Sequence, residues 1–138
     1  DGKVNAIDAT TGAIVWTIDP ADGAVRGRIY RDNATNRIWF ATATKVWGYQ
    51  DSGTFGASLL FSVPIAGGSS PILNGTKVYV GSSNGSIYEM DAATGGSLKS
   101  VVLGTGAAQT GPPSIDTTNS VVYAGTEDGK TYSVVVPF

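Results

Sequence analysis

Short runs of apolar residues, rich in Val, Ile, Tyr and Trp, recur along this chain and are cut by clusters of Gly, Asn, Asp and Ser. Side chains of that kind fit a pleated, half-buried surface, and the interrupting residues are those that tight turns demand. The runs align in columns. One column reads Gly2-Lys3-Val4-Asn5-Ala6-Ile7-Asp8, Thr44-Lys45-Val46-Trp47-Gly48-Tyr49-Gln50, Gly85-Ser86-Ile87-Tyr88-Glu89-Met90-Asp91 and Gly129-Lys130-Thr131-Tyr132-Ser133-Val134-Val135, at intervals of 42, 41 and 44 residues. A second column precedes three of these: Ile38 to Thr42, Val78 to Ser82 and Val122 to Thr126. The dipeptides Asn84-Gly85 and Asp128-Gly129 stand between the two columns, which predicts a hairpin closed by a type I′ turn. Ala43-Thr44 replaces them in the second repeat and predicts a different turn there.

Two further strands complete each unit. The segments Asp8-Ala9-Thr10-Thr11-Gly12 and Asp91-Ala92-Ala93-Thr94-Gly95 follow the hairpin. An Asp at a strand end can accept turn N–H groups, and a Gly four residues later can take the left-handed conformation of the reversal. Outer strands are predicted after them over Ile14 to Ile18, Leu59 to Val63 and Leu98 to Leu103. Short innermost strands of small residues and prolines are predicted at Arg28-Ile29-Tyr30, Ser70-Pro71-Ile72-Leu73 and Pro113-Ser114-Ile115-Asp116, the prolines suiting a strand start. A four-stranded unit with a period near 42 residues is the size of one β-propeller blade.

The motif Gly-x-Val-x-Ala-x-Asp-Ala-x-Thr-Gly at Gly2 to Gly12, followed by Trp16, resembles the blade signature of the pyrroloquinoline-quinone-like repeat family. So does Val78-Tyr79-Val80-Gly81-Ser82 with Gly85, Ile87-Tyr88, Asp91 and Thr94-Gly95. The resemblance runs over nearly the whole chain. It is weakest in the second repeat, where Gln50 replaces the Asp and Gln50-Asp51-Ser52-Gly53 is one residue short, and Trp16 has no counterpart after Gly95. The fold class is therefore all-β: blades of four antiparallel strands, about three and a half of them, an incomplete propeller. Residues 1–18 supply the two outer strands of a blade, 25–63 and 69–103 a blade each, and 111–138 a blade lacking its last strand. Propellers usually close with four to eight blades, and an open stack exposes edges and apolar faces. The chain is accordingly expected to be part of a longer propeller, or a processed fragment completed by a protein partner or a second copy.

Composition narrows the chemistry. The formal charge is −2, and the nearest thing to a basic cluster is Arg26, Arg28 and Arg31. A nucleic-acid footprint needs a broader basic stripe, so none is predicted, and no apolar run approaches the roughly 18–20 residues that span a bilayer. The chain has no Cys and no His, which removes thiol chemistry, Cys/His zinc sites and Ser-His or Cys-His nucleophile pairs. Asp32-Asn33 and Asp116 through Asn119 carry oxygen ligands without the dense alternating spacing of a calcium loop, and read as turns. Glu127 with Asp128, and Asp19 near Asp22, are the candidate acid–base pairs, although both sit in predicted solvated loops. Trp16, Trp39 and Trp47 fit the packing columns between blades rather than a ligand platform. Asp22-Gly23, Asp51-Ser52-Gly53 and Gly67-Gly68-Ser69-Ser70 are loops, the last without the Lys of a phosphate loop.

No catalytic, cofactor-binding or metal-binding residue is assigned, and no cofactor is expected. Quinone-dependent enzymes share the resembled blade, and the family implies for them calcium ligands, a Trp under the quinone and often a vicinal cysteine pair. Three functions follow. The chain is a non-enzymatic scaffold or interaction module of an exported or cell-surface protein, a fragment of a quinone-dependent dehydrogenase, or a structural subunit of a surface layer or filament. The Thr/Ser/Gly-rich, Lys-poor surface favours an extracellular, periplasmic or cell-surface location. The sequons at Asn33, Asn74 and Asn84 are compatible with that, and each also reads as a turn.

Overall fold

The structure, a computed structural model, describes residues 2–138; Asp1, the first residue of the 1–18 segment, lies outside them. Among the described residues, thirteen strands form four antiparallel sheets. The first sheet pairs β1 (Val4–Ile7) with β2 (Ile14–Ile18). The second holds β3 (Arg26–Asp32), β4 (Arg37–Ala41), β5 (Lys45–Asp51) and β6 (Ala57–Pro64), in that order. The third holds β7 (Ile72–Asn74), β8 (Lys77–Gly81), β9 (Ser86–Asp91) and β10 (Lys99–Val102), and the fourth β11 (Ser114–Asp116), β12 (Val121–Gly125) and β13 (Thr131–Val135). Each sheet is a meander, and β3, β7 and β11, the leading strands, touch from sheet to sheet. This is the arrangement of propeller blades around an axis, with a two-stranded and a three-stranded sheet at the ends.

Period-two alternation turns each sheet into two apolar faces, and stacking buries them in three clusters. Val4, Ile18, Phe40, Trp47 and Tyr49 fill the space between the first and second sheets. Trp39, Val46, Phe61, Val63, Val80 and Met90 fill the next, and Tyr79, Ile87, Leu103, Val122 and Val136 the last. The core is thus a series of interfaces, each made by two neighbouring sheets.

The Asp-headed turns take the predicted form. The Asp8 carboxylate accepts the N–H groups of Thr10 and Thr11 at 2.8 and 2.9 Å, and Asp91 those of Ala93 and Thr94 at 2.9 and 3.0 Å. Two more turns repeat this geometry: Asp32 holds Ala34 and Thr35, and Asp116 holds Thr118 and Asn119. The fifth residue is left-handed in all four, at Gly12, Asn36, Gly95 and Ser120. In these meanders the connection from first to second strand lies at the same end as that from third to fourth, so one end of the stack carries all four turns.

The hairpin turns differ from expectation. Gly85 and Gly129 have positive φ, but Asn84 and Asp128 do not, so neither turn is type I′. Ser82 N–H reaches Ser86 O while Gly85 N–H reaches Ser82 O, and Thr126 to Lys130 repeats the pattern. This is a three-residue loop with a left-handed Gly at its end, the form that follows a type I turn with a bulge. Ala43-Thr44 forms a two-residue loop closed by Thr42 N–H on Lys45 O, with no positive φ. The innermost strands also depart from expectation. β3 is seven residues long and carries Arg, Ile and Tyr rather than small residues, and Pro71 and Pro113 precede their strands instead of starting them. The outer strands span Ala57–Pro64 and Lys99–Val102.

The turns carry a pH signature. The backbone N–H groups of Thr11 and Thr10 hold the Asp8 carboxyl below its ordinary value, and the Asn119 side-chain amide followed by the Asn119 N–H does the same for Asp116. Stability from a depressed carboxyl is complete above the unfolded value of about 4 and is lost as pH falls through the lower folded value. Melting temperature should therefore drop on acidification below about pH 4. Asn at both positions keeps an acceptor oxygen and removes the titration. The Asp8→Asn/Asp116→Asn double variant should show a shallower pH dependence than the wild type, and parallel curves would count against the turns as the titrating element.

Candidate functional site

The residues singled out by sequence are spent on structure. Trp39 is 1% exposed, and its Nε1 donates to Ala92 O at 3.1 Å across two sheets. Trp47 is buried and donates to Thr42 Oγ1 at 3.1 Å, and half-buried Trp16 donates to Asp51 Oδ1 at 3.2 Å. Trp39 and Trp47 are buried between sheets, and Trp16 packs half-buried against the cluster that holds Trp47.

The carboxylates are separately occupied. Asp22 accepts the hydroxyls of Thr42 and Thr44, which ties the loop after β2 to the β4–β5 hairpin. The hydroxyl of Thr42 holds its carboxyl low, with that of Thr44 second. Asp19 accepts the Ala21 N–H at 3.0 Å and pairs with Lys3 at 3.3 Å. Asp128 takes the Thr126 hydroxyl and Lys130 Nζ at 3.0 Å, while neighbouring Glu127 is exposed. Asp19, Asp22 and Asp128 are thus each committed to partners of their own.

The Asp32 carboxylate also accepts Thr35 Oγ1 at 2.6 Å, and Asp116 the Asn119 amide at 2.6 Å, so the candidate calcium oxygens close their own turns. Among the described residues no three acidic or otherwise metal-ligating side chains gather. The residues present therefore do not fit a quinone with its calcium ion. Asn33 and Asn84 are exposed and Asn74 is half-buried. No helix among the described residues is long and apolar enough to cross a membrane.

What remains is surface that looks like interior. In the strand pairing, Trp39 lies opposite Gly48, Tyr79 opposite Glu89 and Tyr123 opposite Ser133. The third sheet covers Trp39 and the fourth covers Tyr79. Tyr123, in the same column, is 42% exposed, and Val135 beside it 71%. At the other end, Ile7 holds the position of Tyr49, Met90 and Val134, which all face a preceding sheet. Ile7 is 60% exposed, and Ile14 next to it is also open. β13 and β1 each have one unpaired edge among the described residues. Tyr123 and Ile7 thus continue, exposed, the columns that the interior sheets bury.

Sequence reasoning missed Glu89. It is 1% exposed on β9, and its Oε2 accepts the N–H of Phe138 at 3.0 Å. It also accepts from Tyr79, whose phenol is pushed up by burial first and then by the Glu89 charge and hydrogen bond. The available signal was a Glu in an alternating strand at the place of Gly48 and Ser133.

A family model described as outer membrane protein assembly factor BamB matches residues 1–137. No curated protein sequence matches the chain. Among solved structures it resembles BamB from Moraxella catarrhalis at 20% identity and a TM-score of 0.68, covering 96% of this chain and 43% of that one. It resembles the β-propeller domain of Cps50 (Swd1) from Myceliophteria thermophila at 14% identity and a TM-score of 0.76, over 96% and 46% of the two chains. The computationally designed Ika4 protein matches at 17% identity and 0.75, over 99% and 81%. The likenesses to BamB and to the Cps50 domain show the propeller fold, and the chain spans less than half the length of the Moraxella protein.

Proposed function

The chain belongs to the family of outer membrane protein assembly factor BamB, and from that premise we propose that it is a non-enzymatic propeller scaffold working through protein contacts. The observation that carries this is the pair of end faces, where Tyr123 and Ile7 stand exposed in columns that the interior sheets bury at Trp39 and Tyr79 and at Tyr49 and Met90, with Val135 and Ile14 exposed beside them. A family named for assembly at the outer membrane supports a location outside the cytoplasm, in the periplasm or at the cell surface. The partner is the protein, or further propeller blades, that cover these faces. Among the described residues the carboxylates are engaged by neighbouring groups or exposed, which supports binding over catalysis and disfavours a quinone-dependent dehydrogenase.

The end-face reading has a direct test. The 138-residue chain is expected to associate with rising concentration in sedimentation equilibrium. Tyr123→Lys with Val135→Lys puts two charges on the exposed face and should return it to a monomer with an unchanged circular dichroism spectrum. A wild type that stays monomeric at high concentration, with both faces solvated, would contradict it. Adding pyrroloquinoline quinone with calcium should leave the melting temperature unchanged. A ligand-dependent rise would favour the dehydrogenase instead.

A further inference from the structure

The innermost strand of the second sheet concentrates positive charge in a chain of formal charge −2. Three of its four arginines, Arg26, Arg28 and Arg31, lie on β3. The pairing of this strand is broken. Arg26 lies opposite Ala41 and Tyr30 opposite Trp39, so residues 27–29 share the space opposite Phe40. Bulges of this kind bend a strand and re-aim its side chains.

The bulge is held from the next sheet. Ser70 Oγ accepts the Arg28 N–H at 2.7 Å. Gly27 has a φ of +68°, and a Cβ there would come within 2.3 Å of the same oxygen. A β-carbon would thus cost both the backbone conformation and the close approach.

This construction places Arg28 on the wall of a groove of about 640 Å³, with Tyr30, Pro71, Ile72, Pro112 and Pro113. Its walls come from the leading strands and preceding loops of three sheets, where those strands converge. Arg31 is engaged by Asp51 at 3.2 Å and Asn36 at 2.8 Å. Arg26 and Arg28 are exposed, and no carboxylate among the described residues pairs with either. Packing of the sheets requires no unpaired arginine here.

We propose that this groove binds an extended acidic segment of the protein partner, a reading that rests on the scaffold function above. The guanidinium of Arg28 offers a planar fork to a carboxylate, with Arg26 adding attraction along the strand. The Pro and Tyr surfaces suit an extended, Pro-containing backbone, which aromatic and proline-lined grooves accept with little loss of entropy. Charge complementarity selects an acidic occupant over a neutral one.

The test is a fluorescence anisotropy titration of the 138-residue chain with a labelled peptide of alternating Glu and Pro. A Gln-Pro peptide of equal length and free citrate serve as comparisons. The Glu-Pro peptide should bind and weaken with salt, and Arg28→Gln should weaken it roughly tenfold or more, as loss of a charge-assisted contact does. Ser70→Ala, which frees the bulge without touching charge, should weaken it less, and Lys99→Gln on an outer strand should leave it unchanged. All variants should keep the wild-type melting temperature within a few degrees. Three results would each overturn the groove: equal binding by Arg28→Gln, equal binding of the Gln-Pro peptide, or competition by citrate as effective as that of the peptide. If no peptide binds while end-face association persists, the groove fails and the scaffold stands. If neither occurs, the scaffold reading fails with it.

Discussion

Trp39→Ala is expected to lower the unfolding free energy by roughly 3–5 kcal/mol, measured by urea denaturation. The indole is buried at the middle of the three sheet interfaces, against Val63, Val80 and Met90, with the Tyr30 ring 6.1 Å away. Its removal deletes apolar contact, leaves a cavity that two rigid sheets cannot close, and strips Ala92 O of its donor. Whole domains are stable by only about 5–15 kcal/mol, so this one change approaches the limit. Because each sheet contacts only its neighbours, the loss falls on a single interface. The two halves should then separate into two transitions, or into one with a reduced slope. Trp39→Phe keeps a ring and loses the hydrogen bond, so about 1–2 kcal/mol should go. A midpoint shift no larger than that of Leu98→Ala, on the exposed outer side, would mean that the column does not hold the sheets together.

The strand columns were legible because a blade repeats the same physical problem at a fixed spacing. Each copy must put one apolar row toward the preceding sheet and one toward the next. Trp47, Tyr88 and Tyr132 reveal that row by type alone, and Trp39, Tyr79 and Tyr123 the other. The Asp-to-Gly turns were legible because the carboxylate bonds to its own chain within three residues. Asp32 and Asp116 build the same turn with Asn36 and Ser120 at the left-handed position, so the glycine marks the motif without being required for it. The hairpin type was not legible. Asn-Gly fits a two-residue loop and the end of a three-residue one equally well. The choice depends on whether Ser82 pairs with Ser86, a matter of register set by the flanking strands.

The exposed faces and the groove lie further from the residues themselves. Tyr123 looks like Tyr79 in sequence, and only the absence of a covering sheet among the described residues makes it surface. The β3 bulge depends on Ser70, which is 42 residues away from Arg28. Sequence spacing shows three arginines on one strand. It does not show that Asp51 and Asn36 occupy Arg31 while Arg28 faces a groove.

Glu89→Ala is the second large effect expected. It leaves the Tyr79 hydroxyl and the Phe138 N–H without an acceptor between the third and fourth sheets. A buried orphan costs about 1–3 kcal/mol and the part-buried Phe138 N–H less, so a loss of roughly 2–3 kcal/mol should be seen. Glu89→Gln keeps a carbonyl acceptor and should lose less than half of that. The tyrosine provides a second readout, because burial comes first and Glu89 second in raising its phenol. In Glu89→Ala the Tyr79 transition should move down in a spectrophotometric titration, yet stay above that of a free tyrosine because its burial remains. The C-terminal segment should loosen too, since Phe138 packs edge-on to Tyr79 at 6.1 Å and is held by the same carboxylate. A neutral Glu89→Ala with an unmoved tyrosine transition would mean that water already serves these donors. The contact between residues 89 and 138 would then contribute nothing to holding the last two sheets together.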